Sequence, residues 1–110
     1  MTSSRTQKAR LLVVDDDEDH LALVKRWLET ADFSVSAAES GEQALGLLEA
    51  RRPDLVITDL VMAGIDGIRL LREIHRHDPV MPVIIMSGQA GIAEAVKATH
   101  LGASTFLTKP

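Results

Sequence analysis

The sequence has no cysteine, which excludes disulfides and thiol chemistry. No apolar run approaches the roughly 20 residues that a membrane helix needs. The N-terminus, MTSSRTQKAR, has basic residues but no apolar segment behind them, so it lacks the form of a secretory signal. These absences fit a cytoplasmic location. Positive charge is not in excess either: 12 Lys and Arg face 16 Asp and Glu, for a net charge of −4. A duplex-binding domain needs a basic face, and the pairs Lys25-Arg26 and Arg51-Arg52 read as solvated helix ends. Neither nucleic acid nor a membrane is therefore expected to touch this chain directly. There are no internal repeats and no low-complexity tract.

What is present is ordinary globular composition, 45% hydrophobic and 25% charged over 110 residues, enough for one domain with one core. The segments Leu11–Val14, Leu55–Ile57 and Val83–Met86 are short, continuously apolar and rich in branched residues, the pattern of strands covered on both faces. Phe33, Val35 and Ala37 alternate with Ser34 and Ser36, as in an edge strand, and Thr105–Leu107 is a fifth candidate. Between them run helical spacings: Leu21, Val24, Leu28 and Ala31; Ala44, Leu45 and Leu48 after the start signal Ser40-Gly41-Glu42; Leu70, Leu71 and Ile74; and Ile92, Ala95, Val96 and Thr99, closed by Gly102. Gly46 weakens the second of these patterns. Strict alternation of strand and helix predicts an α/β fold with a doubly wound, five-stranded parallel sheet. The half-polar second and fifth strands belong at its edges, which gives the order 2-1-3-4-5. Ligands in such sheets sit beyond the carboxyl ends of the strands, where the winding reverses.

That rim is where the chemistry collects. The first strand runs into VVDDDEDH, Val13 to His20, five acids in a row after an apolar run. Read alone, they are a solvated loop with helix-capping acids or ligands converging on a cation. The first strand ends in Asp15 and Asp16, the third in Asp59, the fourth in Ser87 and the fifth in Lys109. Parallel strands point these ends the same way, so three carboxylates, a hydroxyl and an ammonium meet. Any one of them alone reads as a cap, a turn residue or a solvated charge. Together they match a hard divalent cation such as Mg²⁺, which prefers oxygen ligands and works beside phosphate. A carboxylate can also attack phosphorus to give an acyl phosphate, with Ser87 and Lys109 on the other phosphoryl oxygens.

LLVVDDD (11–17), PDLVITDLVMAGIDG (53–67), PVIIMSG (82–88) and GASTFLTKP (102–110) carry a resemblance. Together they resemble the receiver, or phosphoacceptor, domain of two-component response regulators, over nearly the whole chain. The stretch GIAEAVKATHLGASTFLTKP is similar to receivers of nitrogen-regulation-class enhancer-binding activators. The resemblance implies a flavodoxin-like fold in which Asp59 takes a phosphoryl group from a sensor histidine kinase. It implies Mg²⁺ on Asp16 and Asp59 directly, on Asp15 through water, and on the backbone carbonyl of Val61. Ser87 and Lys109 would bind the phosphoryl group, and Ser87 with Phe106 would form the conformational switch. The chain would be a signalling acceptor, not an enzyme, that assists its own phosphorylation and slow dephosphorylation. Val61 and Gln89, at the family's rate-influencing positions, supply no carboxylate. The Lys109–Pro110 bond matches one that is usually cis in the family. Asp17, Glu18 and Asp19 inherit no role and read as acids favouring the positive end of the first helix.

Two departures accompany the resemblance. Ala63 stands where the family often has Pro. A receiver also continues into a fifth helix, absent from this chain, so 9–110 reads as a receiver truncated before its last helix, behind a flexible segment 1–8. Without that helix an apolar strip along strands 1, 3 and 5 should be exposed, favouring a homodimer across it. A C-terminal output domain, controlling transcription, is the expected further partner. The alternatives are a stand-alone or non-transcriptional receiver, a flavin-binding module, which the five acids oppose, and a haloacid-dehalogenase-type phosphatase. For the last, Asp15-x-Asp17 supplies only half the pattern. His20, His75, His77 and His100 are scattered and read as solvated, and Trp27, on a flank of the first helix, reads as packing against the missing fifth helix rather than as recognition.

Overall fold

The computed structural model describes residues 8–87, 100, 102–103 and 105–108. Their backbone forms β1 (Arg10–Val14), α1 (Glu18–Thr30), β2 (Ser34–Ala38), α2 (Gly41–Ala50), β3 (Leu55–Asp59), α3 (Gly67–His77), β4 (Val83–Ser87) and β5 (Thr105–Thr108). The strands form one parallel sheet in the order β2-β1-β3-β4-β5. The two half-polar strands are at the edges, as their composition requires. The helix expected over 92–99 lies outside the described residues, as do Gln89, Lys109 and Pro110. His100 is helical, and Gly102 has φ 104°, a value suited to the helix stop expected there.

Each of α1, α2 and α3 begins where a side chain satisfies its first free amides. The Asp17 carboxylate accepts from the amides of Asp19 and His20, the Ser40 hydroxyl from Gln43, and the Asp66 carboxylate from Arg69. Asp17, with Glu18 and Asp19 in the first turn, therefore serves α1 as expected. Gly46 lies mid-helix in α2, and a Cβ there would meet nothing within 4 Å. The helix tolerates it because only propensity is lost.

The pleat of the strands divides the core in two. Leu12, Val14, Val56, Val83 and Ile85 face α2 and α3, where Ala44, Leu70, Leu71 and Ile74 close over them. Val13, Ile57 and Met86 face α1 and meet Leu21 and Val24. Burying a side chain of this size contributes about 1.5–3 kcal/mol, so these layers hold the strand ends in register. The expected bare strip on the α1 face is not found along β1 and β3. Val13 is 0% and Ile57 8% exposed, because Leu21 and Val24 cover them; Leu107, on β5, stands 46% exposed. Trp27 is 52% exposed. Among the described residues no helix is long and apolar enough to cross a membrane.

Candidate functional site

The register sets the site. Asp59 pairs with Met86, so Ser87 lies one residue further along the neighbouring strand, and Val14 pairs with Thr58, so Asp15 reaches the same level. Three of the expected groups, Asp15, Asp59 and Ser87, are buried at the rim, at 0%, 6% and 5% exposure. Asp16, the next residue along from Asp15, turns outward and is exposed.

Carboxylate oxygens of Asp15, Asp16 and Asp59 all lie within 4.8 Å of one another. Such a gathering of like charge costs of order a few kcal/mol per buried pair at an effective dielectric of about 20. The donor set, three carboxylates with no sulfur or nitrogen, fits a hard divalent cation that keeps some of its water. Two further features shape it. The Asp16 carboxylate accepts the Ala63 amide at 3.1 Å, tying the loop after β3 to the loop after β1. The Asp15 carboxylate accepts the Asp17 amide on one oxygen at 3.0 Å and meets His20 Nδ1 with the other. Both Asp15 oxygens therefore already meet protein groups.

The loop after Asp59 is held from below. The Leu60 amide donates to Met86 and the Gly67 amide to Leu60, both at 2.8 Å. At Gly67 a Cβ would collide with the Asp59 carbonyl oxygen and lie 2.9 Å from Leu60 Cα. Only glycine lets α3 start directly beneath the acid. Gly64, with φ 77°, makes the intervening turn after Ala63. Val61 is 71% exposed beside this loop. Of the remaining expected residues, Phe106 has its backbone in β5, paired with Ile85, while Lys109 lies outside the described residues.

The geometry corrects the reading of two histidines. His20 is not solvated: its side chain is 15% exposed and its ring meets Asp15. His75 is not solvated either, since its Nε2 meets the Met81 carbonyl at 2.8 Å. His77 and His100 are exposed, as expected. A signal for His20 existed in the sequence. A cap at Asp17 makes His20 the third helical residue, and helical side chains lean back toward the N-terminus.

The family description of the response regulator receiver domain matches residues 11–110. The chain belongs to this family. The receiver is 46% identical over 102 residues to the transcriptional regulatory protein GlrR of Escherichia coli strain K12, covering 93% of this chain and 23% of GlrR. It is 36% identical over 104 residues to the DNA-binding transcriptional regulator NtrC of Klebsiella pneumoniae, covering 94% of this chain and 22% of NtrC. The chain thus spans less than a quarter of the length of these relatives. The crystal structure of the NtrX receiver domain from Brucella abortus superposes with a TM-score of 0.86 at 37% identity, over 91% of this chain and 85% of that one. The chemotaxis protein CheY4 of Vibrio cholerae, at 24% identity, shares the fold with a TM-score of 0.90 over 94% of this chain and 88% of its own.

Proposed function

We propose that residues 9–110 act as the phosphoacceptor unit of a two-component system, with Asp59 as the acceptor. The observation that carries this reading is the position of Asp59, at the end of β3 and within 4.8 Å of the Asp15 and Asp16 carboxylates. An Asp59 oxygen attacks the phosphorus of a phosphohistidine on a sensor kinase. The new P–O bond forms as the P–N bond breaks, and the imidazole leaves with its electron pair. Mg²⁺, held by Asp16, Asp59 and the Val61 carbonyl directly and by Asp15 through water, would offset charge on the phosphoryl oxygens. Ser87 and Lys109 bind the remaining oxygens.

The same event sets the switch. Ser87 moves toward the phosphoryl group and Phe106 turns inward behind it, which shifts the balance between two arrangements of the β5 face. The output is a C-terminal domain controlling transcription, as the names of GlrR and NtrC suggest. The protein works in the cytoplasm, and the phosphoryl group is lost slowly because Val61 and Gln89 supply no carboxylate to assist water.

The decisive experiment is uptake of radiolabel from acetyl phosphate with Mg²⁺. Wild type should be labelled and Asp59→Asn should not. Label that survives in Asp59→Asn but disappears in Asp15→Asn would instead indicate a phosphatase of the haloacid-dehalogenase type.

A further inference from the structure

The deepest acid of the rim is held by a side chain for which the proposed chemistry has no use. Asp15 is completely buried, and one of its oxygens accepts the Asp17 amide at 3.0 Å. The other lies 2.5 Å from His20 Nδ1. With Asp15 ionised, its carboxylate accepts and Nδ1 donates. His20 reaches it because Asp17 caps α1 and places His20 on the first turn, leaning back toward the end of β1. The opposite ring nitrogen, Nε2, is buried without a hydrogen-bond partner among the described residues. Burying a polar atom in this way is unfavourable, and an apolar side chain of similar size would avoid it. Packing alone therefore gives no reason for an imidazole here; the bond from Nδ1 does.

We propose that His20 is a positioning residue of the cation site: its Nδ1–H fixes the Asp15 carboxylate and so sets how tightly the acidic rim binds a divalent cation. The proposal rests on reading Asp15, Asp16 and Asp59 as that site. Held at both oxygens, Asp15 has one orientation, and its charge stays directed at the rim despite repulsion from the two neighbouring carboxylates. Without His20 the carboxylate turns away from Asp16 and Asp59, and the cation loses a prearranged partner. Donors behind a ligand commonly change metal affinity by about tenfold or more.

The test is a Mg²⁺ titration of the purified protein without phosphodonor, followed by the amide NMR signals of Asp16 and Asp59. His20→Leu, which keeps the bulk and removes the donor, should raise the Kd for Mg²⁺ about tenfold. His20→Asn, whose side-chain N–H starts from nearly the same place as Nδ1, should recover most of that loss. A Leu variant that melts lower yet binds Mg²⁺ like wild type overturns the proposal, because His20 would then only support the fold. Should the Leu variant not fold, the wild-type ring decides. Its ¹⁵N signals should shift along the same Mg²⁺ isotherm as the Asp59 amide, and static ring signals overturn the proposal. Wild type that binds no Mg²⁺ sinks the reading of the rim itself, whereas tight wild-type binding unchanged in His20→Leu sinks only the role of His20.

Discussion

The two ends of the sheet use the same residue types to opposite effect. At the amino ends of the strands, charged groups are held by hydrogen bonds and one of them, Arg52, by an ion pair. The Arg10 amide donates to Asp54 at 2.7 Å, the Arg10 guanidinium to the Arg52 carbonyl at 2.7 Å, and Arg52 Nε to Asp78 at 2.5 Å. The Arg52 guanidinium holds the Asp78 carboxyl below its usual range, and Asp78 raises Arg52 in return. At the carboxyl ends, Asp15, Asp16 and Asp59 are gathered together. One end pairs unlike charges; the other draws like charges together, the arrangement a cation site needs.

This contrast makes mutations at the two ends differ in sign. The largest effect is expected for Asp59→Asn, which should abolish labelling by acetyl phosphate. In EDTA the same variant should melt above wild type, by several degrees, since about 1 kcal/mol moves a domain of this size by about 4–8 °C. A lower melting temperature would mean that the acids at this rim are not in mutual repulsion, and the contrast would collapse. Next, Asp16→Asn should weaken Mg²⁺ binding at least about tenfold and reduce labelling in step. Unchanged titration curves would remove Asp16 from the ligand set. A subtler loss is expected for Ser87→Ala: it should still accept label, but the change in NMR signals near Phe106 on phosphorylation should vanish. Persistence of that change would separate the hydroxyl from the switch.

The smallest effect belongs to the amino end. Asp78 has a lowered folded-state pKa, so its ion pair stabilises the protein above the unfolded carboxyl's pKa, and this contribution fades as pH falls through the folded one. Asp78→Asn should therefore melt slightly below wild type at neutral pH, with the gap closing below roughly pH 4. Because the pair is exposed, salt should narrow the gap too. A gap that widened with acid would reverse the assignment of charge to this end.

The sheet was legible in the sequence because burial on two faces leaves a composition signal that no surface strand shares. Leu11–Val14 and Val83–Met86 could be little else, and the serines of β2 marked it as an edge. The rim followed from the sheet, since parallel strands deliver Asp15, Asp59 and Ser87 to one side whatever the side chains do locally. What escaped was any contact that depends on the angle at which a helix leaves its strand. His20 and His75 looked solvated because spacing reports which face a residue shares, not that the His20 ring reaches back to Asp15 or that the His75 ring meets the Met81 carbonyl past the end of α3. Trp27 stands 52% exposed on α1, the flank where the fifth helix of a receiver was the expected partner.

Gly67 carries a consequence of another kind. It performs no chemistry, yet its amide holds Leu60 and its bare Cα makes room for the Asp59 carbonyl. Every codon change that replaces it introduces a Cβ, and every Cβ would strike the backbone at Asp59. Exchanging an acid at the rim for its amide adds no bulk, so the fold should stand while the proposed activity is lost. Position 67 offers no such intermediate. The heaviest mutational constraint near this site therefore falls on the residue with the least to contribute to catalysis, and drift away from function should begin at the acids long before it reaches the glycine.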